Sequence, residues 1–139
     1  MKSISPPKSA VLVVDDDEGL LLSIKATLVS AGLAEPVLVS DSRRVMEVMR
    51  SHRFPLVLLD LMMPHMSGME VMQQIKEEFP EADCVIVSAM DDVPTAVQAI
   101  SGGASDYLVK PLNSDKLIAL VQSNLERYRF RDELARVGR

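Results

Sequence analysis

Five short apolar runs, at 10–14, 36–39, 55–59, 82–87 and 107–109, are rich in Val, Ile and Leu and show no polar alternation. That is the pattern of strands buried on both faces of a parallel sheet. Between the runs, apolar residues recur at helical spacing. Leu21, Ile24 and Leu28 precede a stop at Gly32; Val45, Met46 and Met49 mark a helix over 40–53, capped by Ser40 or Asp41; Val71, Met72 and Ile75 mark one over 69–79, with Pro80 just past its end. A fourth helix over 94–101 carries proline in its first turn and stops at Gly102-Gly103. A fifth starts near Asn113 and runs well past Arg127, with Leu117, Leu120, Val121 and Leu125 as its buried stripe.

Strands that alternate with helices imply right-handed βαβ crossovers and a parallel sheet sandwiched between helix layers. The predicted fold class is therefore α/β, a flavodoxin-like doubly wound (βα)5 domain with a five-stranded parallel sheet ordered 2-1-3-4-5. In such sheets ligands bind beyond the carboxyl ends of the strands, at the switch point between the first and third. The apolar runs end on Asp15-Asp16, Asp60, Ser88 and Lys110, so carboxylates, a hydroxyl and an amine are expected in one pocket.

Few chemistries use that set, and phosphoryl transfer to an aspartate with a divalent cation uses all of it. Mg²⁺, or Mn²⁺ in its place, takes oxygen ligands and suits a few carboxylates plus a phosphoryl oxygen. Asp15, Asp16 and Asp60 supply the charge, and an ionised Asp60 is a usable nucleophile. Lys110 can neutralise the phosphoryl group and Ser88 can donate to it. A shift of Ser88 would open space for an amphipathic ring, for which Tyr107 is the candidate.

The chain has 139 residues, 47% of them hydrophobic and 25% charged. That is one domain, here taken as 10–128, with a disordered lead over 1–9 and a helical extension or linker over 129–139. No apolar run reaches the roughly 18 residues of a membrane span, and the first nine residues lack a signal-peptide core; a cytoplasmic location is expected. The single cysteine, Cys84, lies inside an apolar run and reads as a buried structural thiol. A net charge of −5 argues against direct nucleic-acid binding. The five arginines after Glu126 read as a solvated helix face.

The segments Val11 to Asp16, Val57-Leu58-Leu59-Asp60-Leu61-Met62-Met63-Pro64, Gly68, Val87-Ser88-Ala89 and Asp106-Tyr107-Leu108-Val109-Lys110-Pro111 together resemble the receiver domain of bacterial two-component response regulators, over about 10–128. Each motif alone is weak, but all stand in order on predicted strand ends. The resemblance implies that Asp60 accepts a phosphoryl group from a phosphohistidine on a sensor histidine kinase. It implies Asp15, Asp16 and the main-chain carbonyl of Met62 as Mg²⁺ ligands, Ser88 and Tyr107 as a switch pair, Lys110 at the phosphoryl group and a cis Lys110-Pro111 bond. The face of the fourth helix, fifth strand and fifth helix would serve output and pairing of two copies, as could the last helix. The run from Asp106 and the long final helix look like the nitrogen-regulation-type activators. That implies an output domain, absent from this sequence, that controls transcription.

Asp17 makes a run of three acids, so Asp16 and Asp17 could form the metal pair instead. Asp15 and Asp16 are preferred, because they directly follow the strand and Asp17 then caps a helix. Asp15-Asp16-Asp17 also contains the Asp-x-Asp of haloacid-dehalogenase-like phosphohydrolases, with Asp15 as nucleophile and Asp17 as acid/base. Gly19 stands where that pattern expects threonine, and no later acidic pair is apparent. A flavodoxin-type electron carrier would need a Ser/Thr/Gly-rich phosphate loop after the first strand, where this sequence has Asp15-Asp16-Asp17-Glu18. Met62, Met63, Met66, Met69 and Met72 read as packing, His65 as an exposed loop residue, and His52 has no evident partner.

Overall fold

The computed structural model describes residues 11–137, with side chains through 134; the lead over 1–9 lies outside the described residues. The apolar runs form strands β1 (Val11–Val14), β2 (Val37–Val39), β3 (Leu56–Asp60), β4 (Asp83–Ser88) and β5 (Asp106–Val109). They pair in parallel in the order β2-β1-β3-β4-β5. The helices are α1 (Glu18–Ser30), α2 (Val45–Ser51), α3 (Gly68–Glu78), α4 (Val93–Ser101) and α5 (Ser114–Val137). No helix among the described residues is long and apolar enough to cross a membrane.

Successive strand residues face opposite sides of the sheet, and the core divides accordingly. Leu12, Val14, Val57, Leu59, Cys84 and Ile86 point to one face, where Val45 and Met49 of α2, Val71, Met72 and Ile75 of α3 and Ala99 of α4 cover them. Val11, Val13, Leu56, Leu58, Val85 and Val87 point to the other, under Leu21, Ile24 and Leu28 of α1 and Leu117 and Val121 of α5. Each of these large side chains adds about 1.5–3 kcal/mol by leaving water. A polar substitution in β1 or β3 would therefore damage one helix layer whichever way it pointed.

Polar residues punctuate the helices. Asp17 caps α1 by accepting from Leu20 N, and Gly32, at φ 85°, ends the turn that follows the helix. Asp92 caps α4, whose first turn holds Pro94. At α3, Ser67 and Glu70 form a reciprocal capping box, so the helix begins at Gly68, one residue before the predicted start. The helix expected over 40–53 is shorter. Asp41 caps a 3-10 turn (Ser42–Arg44) by accepting from Arg43 N, and only then does α2 begin.

Met63, Met66, Met69 and Met72 pack in or against the core as expected. Met62 does not: its side chain is 66% exposed, because the chain turns outward at once after β3. Cys84 is buried, and burial pushes its thiol up to about 12, which makes it unreactive near neutral pH. His65 is exposed and adopts a positive φ of 74°. His52 does have partners, the Ser51 hydroxyl at 2.8 Å and the ring of Phe54.

Candidate functional site

Register brings the strand ends together. Val14 pairs with Leu59, Asp60 with Val87 and Ser88 with Val109, so Asp15, Asp60, Ser88 and Lys110 surround one point at the carboxyl edge of the sheet. Main-chain bonds continue the ladder past the strands: Asp15 N donates to Val39 O at 3.1 Å, Leu61 N to Val87 O at 3.3 Å and Lys110 N to Ser88 O at 2.8 Å. The edge is therefore held by the same bonds that hold the sheet.

Lys110 Nζ bridges two carboxylates, at 2.9 Å from Asp15 Oδ2 and 3.3 Å from Asp60 Oδ1. Asp15 and Asp60 are 2% and 6% exposed. Burial, then the charge of Asp15, push the Asp60 carboxyl up to about 6, even though Lys110 pulls the other way. Burial alone would lower the Lys110 ammonium, but the hydrogen bond and charge of Asp15, reinforced by Asp60, raise it above its ordinary value. One ammonium thus leaves the pocket with more negative charge than it can balance.

Carboxylate oxygens of Asp15, Asp16 and Asp60 lie within 4.8 Å of one another. An all-oxygen donor set carrying surplus negative charge fits a hard divalent cation such as Mg²⁺. Asp17 is not in this group, since its carboxylate caps α1. Its main-chain N–H donates to Asp15 Oδ1 at 2.8 Å and orients that carboxylate.

Ser88, 1% exposed, accepts from Met90 N at 3.0 Å. The Tyr107 hydroxyl donates to the carbonyl of the same Met90 at 2.7 Å, with its ring half-buried against the core. The Lys110-Pro111 bond is cis.

A protein-family model described as the response regulator receiver domain matches residues 11–122. The chain belongs to the response regulator receiver domain family. It is 37% identical over 120 residues to the C4-dicarboxylate transport transcriptional regulatory protein DctD of Pseudomonas aeruginosa, covering 86% of this chain and 26% of that protein. It is 34% identical over 121 residues to the DNA-binding transcriptional regulator NtrC of Escherichia coli, covering 87% and 26%. The solved receiver domain of NtrX from Brucella abortus superposes with a TM-score of 0.77 at 30% identity, covering 84% of this chain and 98% of that one. Among the first curated relatives it matches, this chain spans between 26% and 55% of their length.

This receiver domain is thus of the two-component signalling kind, and its relatives include the transcriptional regulators DctD and NtrC, in line with a receiver of the NtrC type. The hydrolase alternative has no support: the family that matches is the receiver domain, and the carboxylate of Asp17, its would-be acid/base, is occupied as a helix cap.

Two structurally important residues, Asn124 and Ser42, escaped the sequence reading, and the role of a third, Gly68, was not legible there beyond its place in the family resemblance. Asn124, 1% exposed, donates from Nδ2 to Asp83 Oδ2 at 2.6 Å and ties α5 to β4; its signal was a polar residue on the stripe of Leu117 and Val121. Ser42, 4% exposed, donates to Pro64 O at 2.9 Å, and no pattern announced it. Gly68 lies against the Asp60 main chain so closely that a Cβ there would strike the Asp60 carbonyl.

Proposed function

We propose that this receiver accepts a phosphoryl group on Asp60 from the phosphohistidine of a sensor kinase. The Asp60 carboxylate attacks phosphorus, the P–N bond breaks, and the imidazole leaves, taking a proton from solvent. The observation that carries this reading is the placement of Lys110 Nζ within hydrogen-bond reach of both Asp15 and Asp60. That contact puts an ammonium beside the charge the transferred group would bring.

Asp15, Asp16, Asp60 and the main-chain carbonyl of Met62 are the proposed Mg²⁺ or Mn²⁺ ligands. A divalent cation held there would neutralise phosphoryl oxygens and favour the ionised Asp60. Asp15, Lys110 and the strand-end main chain orient the nucleophile before the donor arrives. Ser88 is the proposed donor to the phosphoryl group and Tyr107 its switch partner. The domain acts as a signalling switch in the cytoplasm, assisting only its own phosphorylation and dephosphorylation.

For output, the proposed surface is α4, β5 and α5. Val93, Val97, Ile100 and Val109 are exposed apolar residues on its α4 and β5 portions, more than solvent alone favours. Phe130 and Leu134 on the extension of α5 are exposed as well, which suits pairing of two copies through the last helix. Residues 129–139 then lead toward an output domain that regulates transcription, and this domain itself does not contact nucleic acid.

Incubation with acetyl phosphate and Mg²⁺, followed by borohydride trapping and peptide mapping, tests the reading. Label on Asp60, lost on adding a chelator, is expected. Label on Asp15, or none with Mg²⁺ supplied, would remove it. Sedimentation with and without beryllofluoride tests the pairing, which fails if the mass stays the same.

A further inference from the structure

The junction after β2 touches both flanks of the acidic pocket. Val39, the last residue of β2, accepts from the main-chain N–H of Asp15. Three residues on, Ser42 reaches across 22 residues of sequence to donate its hydroxyl to Pro64 O. Pro64 lies in the loop joining β3 to α3, two residues after Met62.

Leu61 N bonds Val87 O at 3.3 Å where the loop leaves β3, and Met63 and Met66 pack against the core; the other main-chain bonds described for the loop are local, Gly68 N to Leu61 O at 2.8 Å and Met66 N to Pro64 O at 2.8 Å. His65 within it has positive φ. Local bonds set the internal shape of a loop but not its position relative to other strands. A bond from a different element does set that position. Ser42 is buried, so its hydroxyl does not exchange this partner freely for water, and losing the bond would loosen the middle of the loop between its anchored ends at Leu61 and Gly68.

We infer that Ser42 is a positioning residue for the cation site, holding the β3–α3 loop that carries the proposed Met62 carbonyl ligand. This rests on the proposed reading of that pocket as a divalent-cation site. Groups that orient metal ligands without touching the metal commonly change affinity by about 10–100-fold when removed. An exposed hydroxyl-to-carbonyl bond at the C-terminal end of α2, Ser51 to Val48 O, serves as the control.

The test is a Mn²⁺ titration of the full chain, read from the electron paramagnetic resonance signal of free Mn²⁺, with a urea midpoint for each variant. Ser42→Ala is expected to weaken binding about tenfold. Ser42→Thr, which keeps the donor, should restore most of the affinity, and Ser51→Ala should leave it unchanged. In parallel, the ¹³C resonance of the labelled Met62 carbonyl should shift on adding Mg²⁺ in the unsubstituted chain and shift less in Ser42→Ala. If Ser42→Ala does not fold, Ser42→Cys, of similar size and a weak donor, takes its place with the same expectations.

Binding by the unsubstituted chain that is undiminished in the variant overturns this inference alone. So does equal weakening in the alanine and threonine variants. Absence of Mn²⁺ binding by the unsubstituted chain overturns the cation reading and this inference together.

Discussion

Ser88 and Tyr107 are joined through the main chain of Met90, whose N–H donates to the Ser88 hydroxyl at 3.0 Å while its carbonyl accepts from the Tyr107 hydroxyl at 2.7 Å. With Met90 N–H donating to it, Ser88 Oγ can still turn its own proton elsewhere. Movement of Ser88 toward a phosphoryl group would release Met90 N–H and disturb the residue to which Tyr107 is tied.

The first prediction follows from that chain of bonds. The protein has two tyrosines, so Tyr128→Phe leaves Tyr107 as the sole tyrosine reporter. Beryllofluoride with Mg²⁺ should change its fluorescence, and adding Ser88→Ala should remove more than half of the change. An undiminished change in the double variant would show that Tyr107 responds by another route.

A second prediction concerns pH. Burial and Asp15 push the Asp60 carboxyl from 3.8 up to about 6, so its folded-state value lies above the unfolded one. Its contribution is fully present below about pH 4 and is lost as pH rises through about 6. Without a cation, the domain should therefore lose stability across that window. Asp60→Asn should flatten the loss and gain about 1–2 kcal/mol at pH 7, a figure reduced for the pocket's access to solvent. Urea midpoints measured in chelator decide it, and a less stable variant at pH 7 would contradict the electrostatic account.

Gly68 sets the third. An alanine Cβ would strike the Asp60 carbonyl oxygen and lie 3.0 Å from both Asp60 C and Leu61 Cα. Both neighbours are main chain of the sheet edge, so nothing flexible can yield. Gly68→Ala should cost about 1–3 kcal/mol and slow labelling of Asp60 by acetyl phosphate. A urea midpoint unchanged from the unsubstituted chain would refute the close approach.

The fourth concerns the tie between α5 and β4. Asn124 Nδ2 is bonded to Asp83, but its Oδ1 is buried without a partner. Asn124→Ala loses the bond and leaves space, at a cost of about 2–3 kcal/mol. Asn124→Leu, like the alanine variant, loses both the bond and the unsatisfied oxygen, but it fills the space, so its cost should be under about 1 kcal/mol. Equal urea midpoints for the two variants would show that the space left by the side chain carries no penalty.

Much of the architecture was legible in the chain because parallel strands covered on both faces carry an unbroken apolar signal. Val11 to Val14 and Leu56 to Leu59 had no other plausible place, and the residues that follow them had to lie at the carboxyl edge. The Asp17 cap was legible for the same local reason. Boundaries were less so: the start of α2 depends on a 3-10 turn after Asp41, and that of α3 on the Ser67–Glu70 box.

Sequence by itself determined the order of elements, the two helix layers and the identity of the residues at the strand ends, since periodicity and capping are interactions between near neighbours. Only the tertiary structure decided that Lys110 lies between Asp15 and Asp60, that Met90 links Ser88 to Tyr107, that Ser42 holds Pro64 and that Asn124 meets Asp83. Those contacts depend on strand register and on loops closing over tens of residues. Their partners carry no shared local pattern, so their pairing becomes visible only when the sheet has brought them together.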